Sequence, residues 1–187
     1  MRQVMTACSS PEEVRVGREA SPWWQSLNGK WQLKLWSSPD AVPNTAIKTD
    51  LASTTGWVTV AVPGNWTMQD VGQDAGDLPH YTNVQMPWPL RPPETPAENT
   101  TGVYRRTFTV PKNWKSRRTI IHIGAAESVH AVFVNGAFVG YGTDSRLPSE
   151  YDITKFLQAG KNTLAIFIPR YSAQSYVEDQ DQWWMAG

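Results

Sequence analysis

The 187 residues suffice for one domain with a sizeable core, and 17 Lys and Arg balance 17 Asp and Glu to a net charge of zero. A chain of this length buries about 70% of the surface that its unfolded form exposes. The charge balance and the lack of any basic block argue against a nucleic-acid or anionic-membrane partner.

Cys8 is the sole cysteine, so no internal disulfide is possible and a hydrophobic core must hold the fold. No stretch approaches the roughly 18 apolar residues of a membrane span, and the N-terminus lacks a secretory pattern. A soluble cytoplasmic protein is expected, and the sequons at Asn65 and Asn99 are then chance matches. Ten tryptophans are many for this length. They suit core packing or stacking on sugar rings, and composition does not decide between the two.

Residues 1–21 are polar and aperiodic and read as an arm, with a helical turn beginning at Ser10-Pro11-Glu12-Glu13. In "GKWQLKLW", Trp31, Leu33 and Leu35 alternate with Lys30, Gln32 and Lys34, which predicts a half-buried strand. "WVTVAVP" repeats the pattern. From Gly64 to Thr101 the chain is rich in Pro, Gly, Asn and Asp and lacks alternation. Trp66, Tyr81, Met86 and Trp88 give this connection apolar material, so an ordered functional loop is expected.

"GVYRRTFTV" places Tyr104, Arg106, Phe108 and Val110 on one face and Val103, Arg105 and Thr107 on the other. "RTIIHIG" predicts a further strand. "HAVFVNGAFVGYG" predicts a hairpin, because Asn135-Gly136 supplies the two positive-φ residues of a type I′ turn. "SEYDITKFLQAGKN" predicts a short helical turn with Asp152 as N-cap and Gly160 as its stop. "NTLAIFIPR" closes the set with Leu164, Ile166 and Ile168 on one face. Seven or more short strands and no long helix predict an all-β antiparallel sandwich.

Six segments in order carry a family resemblance: "SLNGKWQL", "VPGNW", "YTNVQMPWP", "NTTGVYRRTF", "VNGAFVGYGTDSRLPSEYDIT" and "SYVEDQDQWWMAG". Together they resemble the N-terminal sugar-binding domain of glycoside hydrolase family 2, in its bacterial β-galactosidase branch. The resemblance covers residues 22–187. It implies a jelly-roll β-sandwich of the galactose-binding-domain type. It also implies that the two catalytic glutamates stand on a (β/α)8 barrel later in a longer enzyme. A retaining glycosidase needs its two carboxyl groups roughly 5–5.5 Å apart, and no pair in this sequence is assigned that role. The 187 residues are therefore expected to be inactive alone.

The C-terminal stretch gathers Glu178, Asp179 and Asp181 beside Trp183 and Trp184. Read from the residues alone, such carboxylates are more often a solvated turn than a catalytic pair. The resemblance gives Asp181 another role: it matches an aspartate that accepts hydrogen bonds from galactosyl hydroxyls and ligates sodium. An ionised carboxylate can serve a hydroxyl and a hard cation together. The other sodium ligands are expected from the absent barrel, and magnesium is implied for the full-length enzyme. Asn83 in "YTNV" matches a second substrate contact, although a turn-capping asparagine is the plain alternative.

Trp184 stands where the family ending has an arginine, which removes a bidentate donor and adds aromatic surface. His80, His122 and His130 have no metal-ligand spacing. Asp144 and Arg146 are expected to form a local ion pair. A β-galactoside substrate, the remaining domains of the parent enzyme and a tetrameric assembly are the implied partners. A free-standing carbohydrate-binding module and a structural assembly domain are the alternatives.

Overall fold

The structure is a computed structural model that describes residues 7–48, 55–79 and 88–178. The arm begins with α1, Pro11–Val16, where the Ser10 hydroxyl accepts from the Glu13 N–H and Pro11 occupies the first turn. This is the start that the sequence predicts. No residue of α1 is buried.

Eight strands follow among the described residues: β1 (Gly29–Trp36), β2 (Val58–Val62), β3 (Thr101–Thr109), β4 (Ile120–Ile123), β5 (His130–Val134), β6 (Ala137–Gly142), β7 (Ser149–Asp152) and β8 (Lys161–Pro169). Six form one sheet in the order β2-β1-β3-β8-β5-β6, and β4 pairs with β7 in a second. All the pairings are antiparallel. The result is the all-β jelly-roll sandwich that the strand pattern and the resemblance imply. Among the described residues the helices are single turns, including α2 (Asn44–Ile47), α3 (Asp70–Asp74) and α4 (Ser175–Glu178). No helix among them is long and apolar enough to cross a membrane.

The principal core lies on one face of the six-stranded sheet. Trp31 and Leu33 from β1, Tyr104 and Phe108 from β3, Leu164 from β8 and Val132 and Val134 from β5 meet Ile121 from β4 and Ile153. The inward sets are the alternating residues of each strand, as a period of two requires. β3 and β8 are covered on their other face too. There Val103 and Ala165 pack with Ala46 of α2 and with Trp36, Trp57, Phe133 and Phe167. Arg105 is buried in this second layer with its guanidinium 3.4 Å from the Trp57 ring centroid. A stacked guanidinium is weakly hydrated, which makes such a place accessible to arginine. Several tryptophans thus pack the two layers.

The Asn135-Gly136 turn has φ values of 50° and 78°, and Val134 pairs with Ala137 across it. Asn135 does more than turn the chain. Its amide donates to the Phe156 carbonyl at 2.9 Å and to Asn162 Oδ1 at 2.7 Å, and its oxygen accepts from the Thr163 N–H at 2.9 Å.

The expected helical turn over "SEYDITKFLQAGKN" is corrected in extent. Ser149–Asp152 is strand β7, and one 3-10 turn, Thr154–Phe156, follows it. Pairing with β4 and burial of Ile153 decide the outcome. The expected N-cap is corrected as well: Ile153 takes that position, and Asp152, one residue earlier, accepts from the Thr154 N–H and hydroxyl through its Oδ1. Gly160, with φ at 80°, belongs to the turn into β8.

In the long connection, Trp66 enters the core beside Gly102, where an added Cβ would lie 3.1 Å from its ring. A 3-10 turn at Trp66–Met68 and α3 order its start. Tyr81 and Met86 lie outside the described residues.

Candidate functional site

Asn83 and Asp181, the two expected sugar contacts, lie outside the described residues, as do His80, Asp179, Trp183 and Trp184. The chain on either side of residues 80–87 and the chain before residue 179 are described, and they meet at residues 170–178. The sequence that follows β8 is the hub.

Arg170 leaves β8 with its N–H donating to the Thr100 carbonyl at 2.8 Å. Its guanidinium donates to a carboxylate oxygen of Asp77 and to the Leu78 carbonyl. The other Asp77 oxygen accepts from the Trp66 indole N–H. Asp77 is only 6% exposed, so both of its oxygens are matched inside the protein. Burial lowers the Arg170 guanidinium from its usual value; arginine nevertheless stays charged at neutral pH. This pair fixes the chain just before residues 80–87.

Trp88 fixes the chain just after them. Its indole N–H donates to the Tyr176 hydroxyl at 2.7 Å, and that hydroxyl donates to the Glu94 carbonyl at 2.7 Å. The Trp88 ring stands edge-on to Tyr171 and Tyr176, at centroid distances of 4.4 and 5.8 Å. Both arrangements suit aromatic quadrupoles. Asn99 locks Tyr171 from behind: its amide donates to the Tyr171 carbonyl at 2.8 Å and its oxygen accepts from the Tyr171 N–H at 2.9 Å. The Asn99 sequon is therefore a structural asparagine, 3% exposed with both ends of its amide engaged. Burial also raises the Tyr171 phenol above its usual value.

The last described residue, Glu178, is held by the loop between β6 and β7. The Ser145 N–H donates to Glu178 Oε1 at 2.9 Å and the Ser145 hydroxyl donates to Oε2. Arg146 Nη1 donates to the Glu178 carbonyl at 3.2 Å. The expected Asp144–Arg146 ion pair is corrected here. Asp144 Oδ1 accepts the N–H groups of Arg146 and Leu147, both at 2.9 Å, and the guanidinium turns to Glu178 instead. A short carboxylate two residues ahead closes an Asx turn more readily than it reaches a neighbouring guanidinium.

His122 and His130 have other partners. His122 Nδ1 is 3.5 Å from Glu150, and the buried His130 shares a 2.8 Å hydrogen bond with the Tyr151 hydroxyl. Burial lowers the His130 imidazole from its usual value, which favours its neutral form. Among the described residues no three His, Cys, Asp or Glu side chains could together hold a metal ion. An open hollow lined by Val139, Tyr151, Lys155 and Phe156 lies against β7, outside the anchors.

The sequence pattern signals none of the Asp77–Arg170, Trp88–Tyr176 and Ser145–Glu178 contacts. Each joins residues at least 33 positions apart. Only a composition cue existed, a tryptophan and tyrosines around otherwise polar segments.

Comparisons with known proteins agree with the sandwich fold. Residues 24–187 match the family model described as glycosyl hydrolases family 2, sugar binding domain. A protein named β-galactosidase from Psychromonas ingrahamii is 42% identical over 176 residues, which are 94% of this chain and 16% of that protein. The chain thus spans about a sixth of that relative's length. A solved β-glucuronidase of Bifidobacterium dentium is 25% identical with a TM-score of 0.56, over 76% of this chain and 19% of its own. A solved β-glucuronidase of Bacteroides uniformis is 26% identical with a TM-score of 0.53, over 78% of this chain and 14% of its own. On the family model and the sandwich together, this chain belongs to glycosyl hydrolase family 2, as that family's sugar-binding domain.

Proposed function

We propose that this domain belongs to a retaining β-galactosidase and forms one wall of its galactosyl site, with the catalytic carboxyl pair in another domain. The observation that carries the reading is the 42% identity to a protein named β-galactosidase across 94% of this chain. Asp181 is assigned as an acceptor of galactosyl hydroxyls and Asn83 as a second polar contact. The anchors at Asp77, Trp88 and Tyr176 support this, because they bring the flanks of both segments to one end of the sandwich. Positioning of this kind lets hydrogen bonds tighten in the transition state without reorganisation.

The chemistry favours a neutral sugar. An ionised Asp181 accepts from hydroxyls and repels a substrate carboxylate. The solved relatives named β-glucuronidases favour a second reading, in which the substrate is a glucuronide. The sodium and magnesium of the family resemblance would take most ligands from elsewhere, and no step of this proposal runs through them. The remaining domains of the enzyme, a tetrameric assembly and a cytoplasmic setting form part of the same proposal.

The test is hydrolysis by the full-length enzyme of nitrophenyl β-galactoside against nitrophenyl β-glucuronide, with the isolated 187-residue chain as control. The galactoside is expected to have the higher kcat/KM and the isolated chain no turnover. A preference for the glucuronide selects the second reading. Turnover by the isolated chain would place catalytic groups inside it and overturn the assignment.

A further inference from the structure

We propose that Asn135-Gly136 is a deamidation site that folding closes, and that conversion of Asn135 in the unfolded chain blocks its return to the native hairpin. Asparagine is thermolabile, and a following glycine leaves the attacking backbone nitrogen without a side chain to shield it. The Gly136 nitrogen attacks Cγ of Asn135 and forms an N–Cγ bond. The Cγ–Nδ2 bond then breaks, and ammonia leaves with the proton that the Gly136 N–H gives up. Water opens the resulting succinimide at either carbonyl, giving aspartate or isoaspartate. Water is the only co-reactant.

The folded hairpin holds the atoms that must move. Asn135 Nδ2, the leaving group, donates to the Phe156 carbonyl at 2.9 Å and to Asn162 Oδ1 at 2.7 Å. Its Oδ1 accepts from the Thr163 N–H at 2.9 Å, and its backbone N–H donates to the Thr163 carbonyl at 2.9 Å. The amide is therefore engaged with neighbouring segments. Turning it onto the Gly136 nitrogen breaks three side-chain hydrogen bonds, each worth about twofold to tenfold in an equilibrium.

The product does not fit the same place. In aspartate an oxygen replaces Nδ2 and faces the Phe156 carbonyl and Asn162 Oδ1. A carboxylate only accepts, so both contacts become repulsive. Asn162 is in no position to flip and offer its own N–H groups. It is 0% exposed, its Oδ1 also accepts from the Gln158 N–H at 2.9 Å, and its Nδ2 donates to the Gln158 and Gly160 carbonyls at 3.1 and 3.2 Å. In isoaspartate the main chain runs through Cβ and Cγ. The added atom lengthens a tight turn whose register pairs Val134 with Ala137.

The experiment incubates the full-length protein at mildly alkaline pH, folded and in urea, and follows tryptic peptides by mass spectrometry for replacement of the amide nitrogen by oxygen. The peptide of residues 119–146 has Asn135 as its sole asparagine, and that of residues 19–30 has Asn28. Asn28 is exposed and also precedes a glycine, so it reports the same dipeptide outside the network. Asn135 is expected to convert at least about tenfold more slowly in the folded protein than in urea. Equal rates for Asn135 in the two states would overturn the protection.

Asn135→Asp makes one product directly. It is expected to lower the folding equilibrium constant about tenfold or more, against less than about threefold for Asn28→Asp. If Asn135→Asp does not fold, urea-aged parent protein carries the test. After dilution from urea, the refolded fraction should be depleted of the converted 119–146 peptide and the unrefolded fraction enriched in it. Asn135→Asp as stable as the parent, or refolded protein that retains converted Asn135 in full proportion, would overturn the block to refolding.

Discussion

Trp88 and Tyr176 stand 88 positions apart and share one buried hydrogen bond, the indole N–H donating to the phenol oxygen at 2.7 Å. The contact joins the end of the segment that holds Asn83 to the start of the segment that holds Asp181. Arg170 and Asp77 do the same for the near side of the first segment. These contacts tie the described residues next to the two segments to one another.

Tyr176→Phe keeps the ring but removes the acceptor of the Trp88 N–H and the donor to the Glu94 carbonyl. Leaving a buried polar group without its partner costs about 1–3 kcal/mol. Urea unfolding of the domain should show a loss of that size, with the melting temperature falling by about 2–4 °C per kcal/mol. A loss below about 0.3 kcal/mol would show that the hydroxyl does not hold the two segments together.

Asp77→Ala leaves the Arg170 guanidinium, 12% exposed, without its carboxylate. Breaking a buried pair on one side costs about 3–5 kcal/mol. Arg118→Ala provides the contrast, because Arg118 and Asp152 are 3.8 Å apart with side chains 69% and 49% exposed. A change under about 1 kcal/mol is expected there. The same denaturation series measures both, and similar values would mean that the Asp77 pair is not a structural anchor.

Gly136→Ala forces a Cβ onto a residue with φ at 78°, at a cost of about 1–2 kcal/mol. Asn135→Ala should cost more, since it also strips the three hydrogen bonds to Phe156, Asn162 and Thr163. Chemical denaturation of the two variants checks the order. The reverse order would mean that turn geometry, rather than the amide network, dominates at this hairpin.

Acid should weaken the domain through His130. Burial lowers its imidazole in the folded state, while the unfolded chain binds a proton near the ordinary value of about 6.5. The unfolded state then holds more protons below that pH, so stability is full above it and declines as pH falls. Asp152 adds a separate loss nearer the ordinary carboxylate range, because the Thr154 hydroxyl and N–H hold its carboxyl low. Unfolding free energies between pH 8 and 5 should fall, and His130→Gln should flatten that slope. An unchanged slope in the variant would remove His130 as its source.

The strands were legible because alternation is local. Trp31, Leu33, Leu164 and the Asn135-Gly136 hairpin stand where their pattern puts them. The second buried layer was not, since nothing local to Arg105 signals that Trp57 lies against its guanidinium. The turn after β7 shortened because Ile153 is drawn into the core, a tertiary demand that outweighs a helical pattern. The hub residues Asp77, Arg170, Tyr176 and Glu178 carry no periodic mark and meet only in three dimensions. Asn83 and Asp181 are legible through the family motifs alone, and what the structure adds is the described chain that flanks them.

The most direct measurement of the central claim is kcat/KM for a nitrophenyl β-galactoside with Asp181→Asn and Asn83→Ala in the full-length enzyme. A hydrogen bond to a charged group is worth about 1.5–3 kcal/mol and a neutral one about 0.5–1.5 kcal/mol. The account therefore predicts a fall of about tenfold to a hundredfold or more for Asp181→Asn and a much smaller one for Asn83→Ala. Equal and negligible effects of the two substitutions would contradict it.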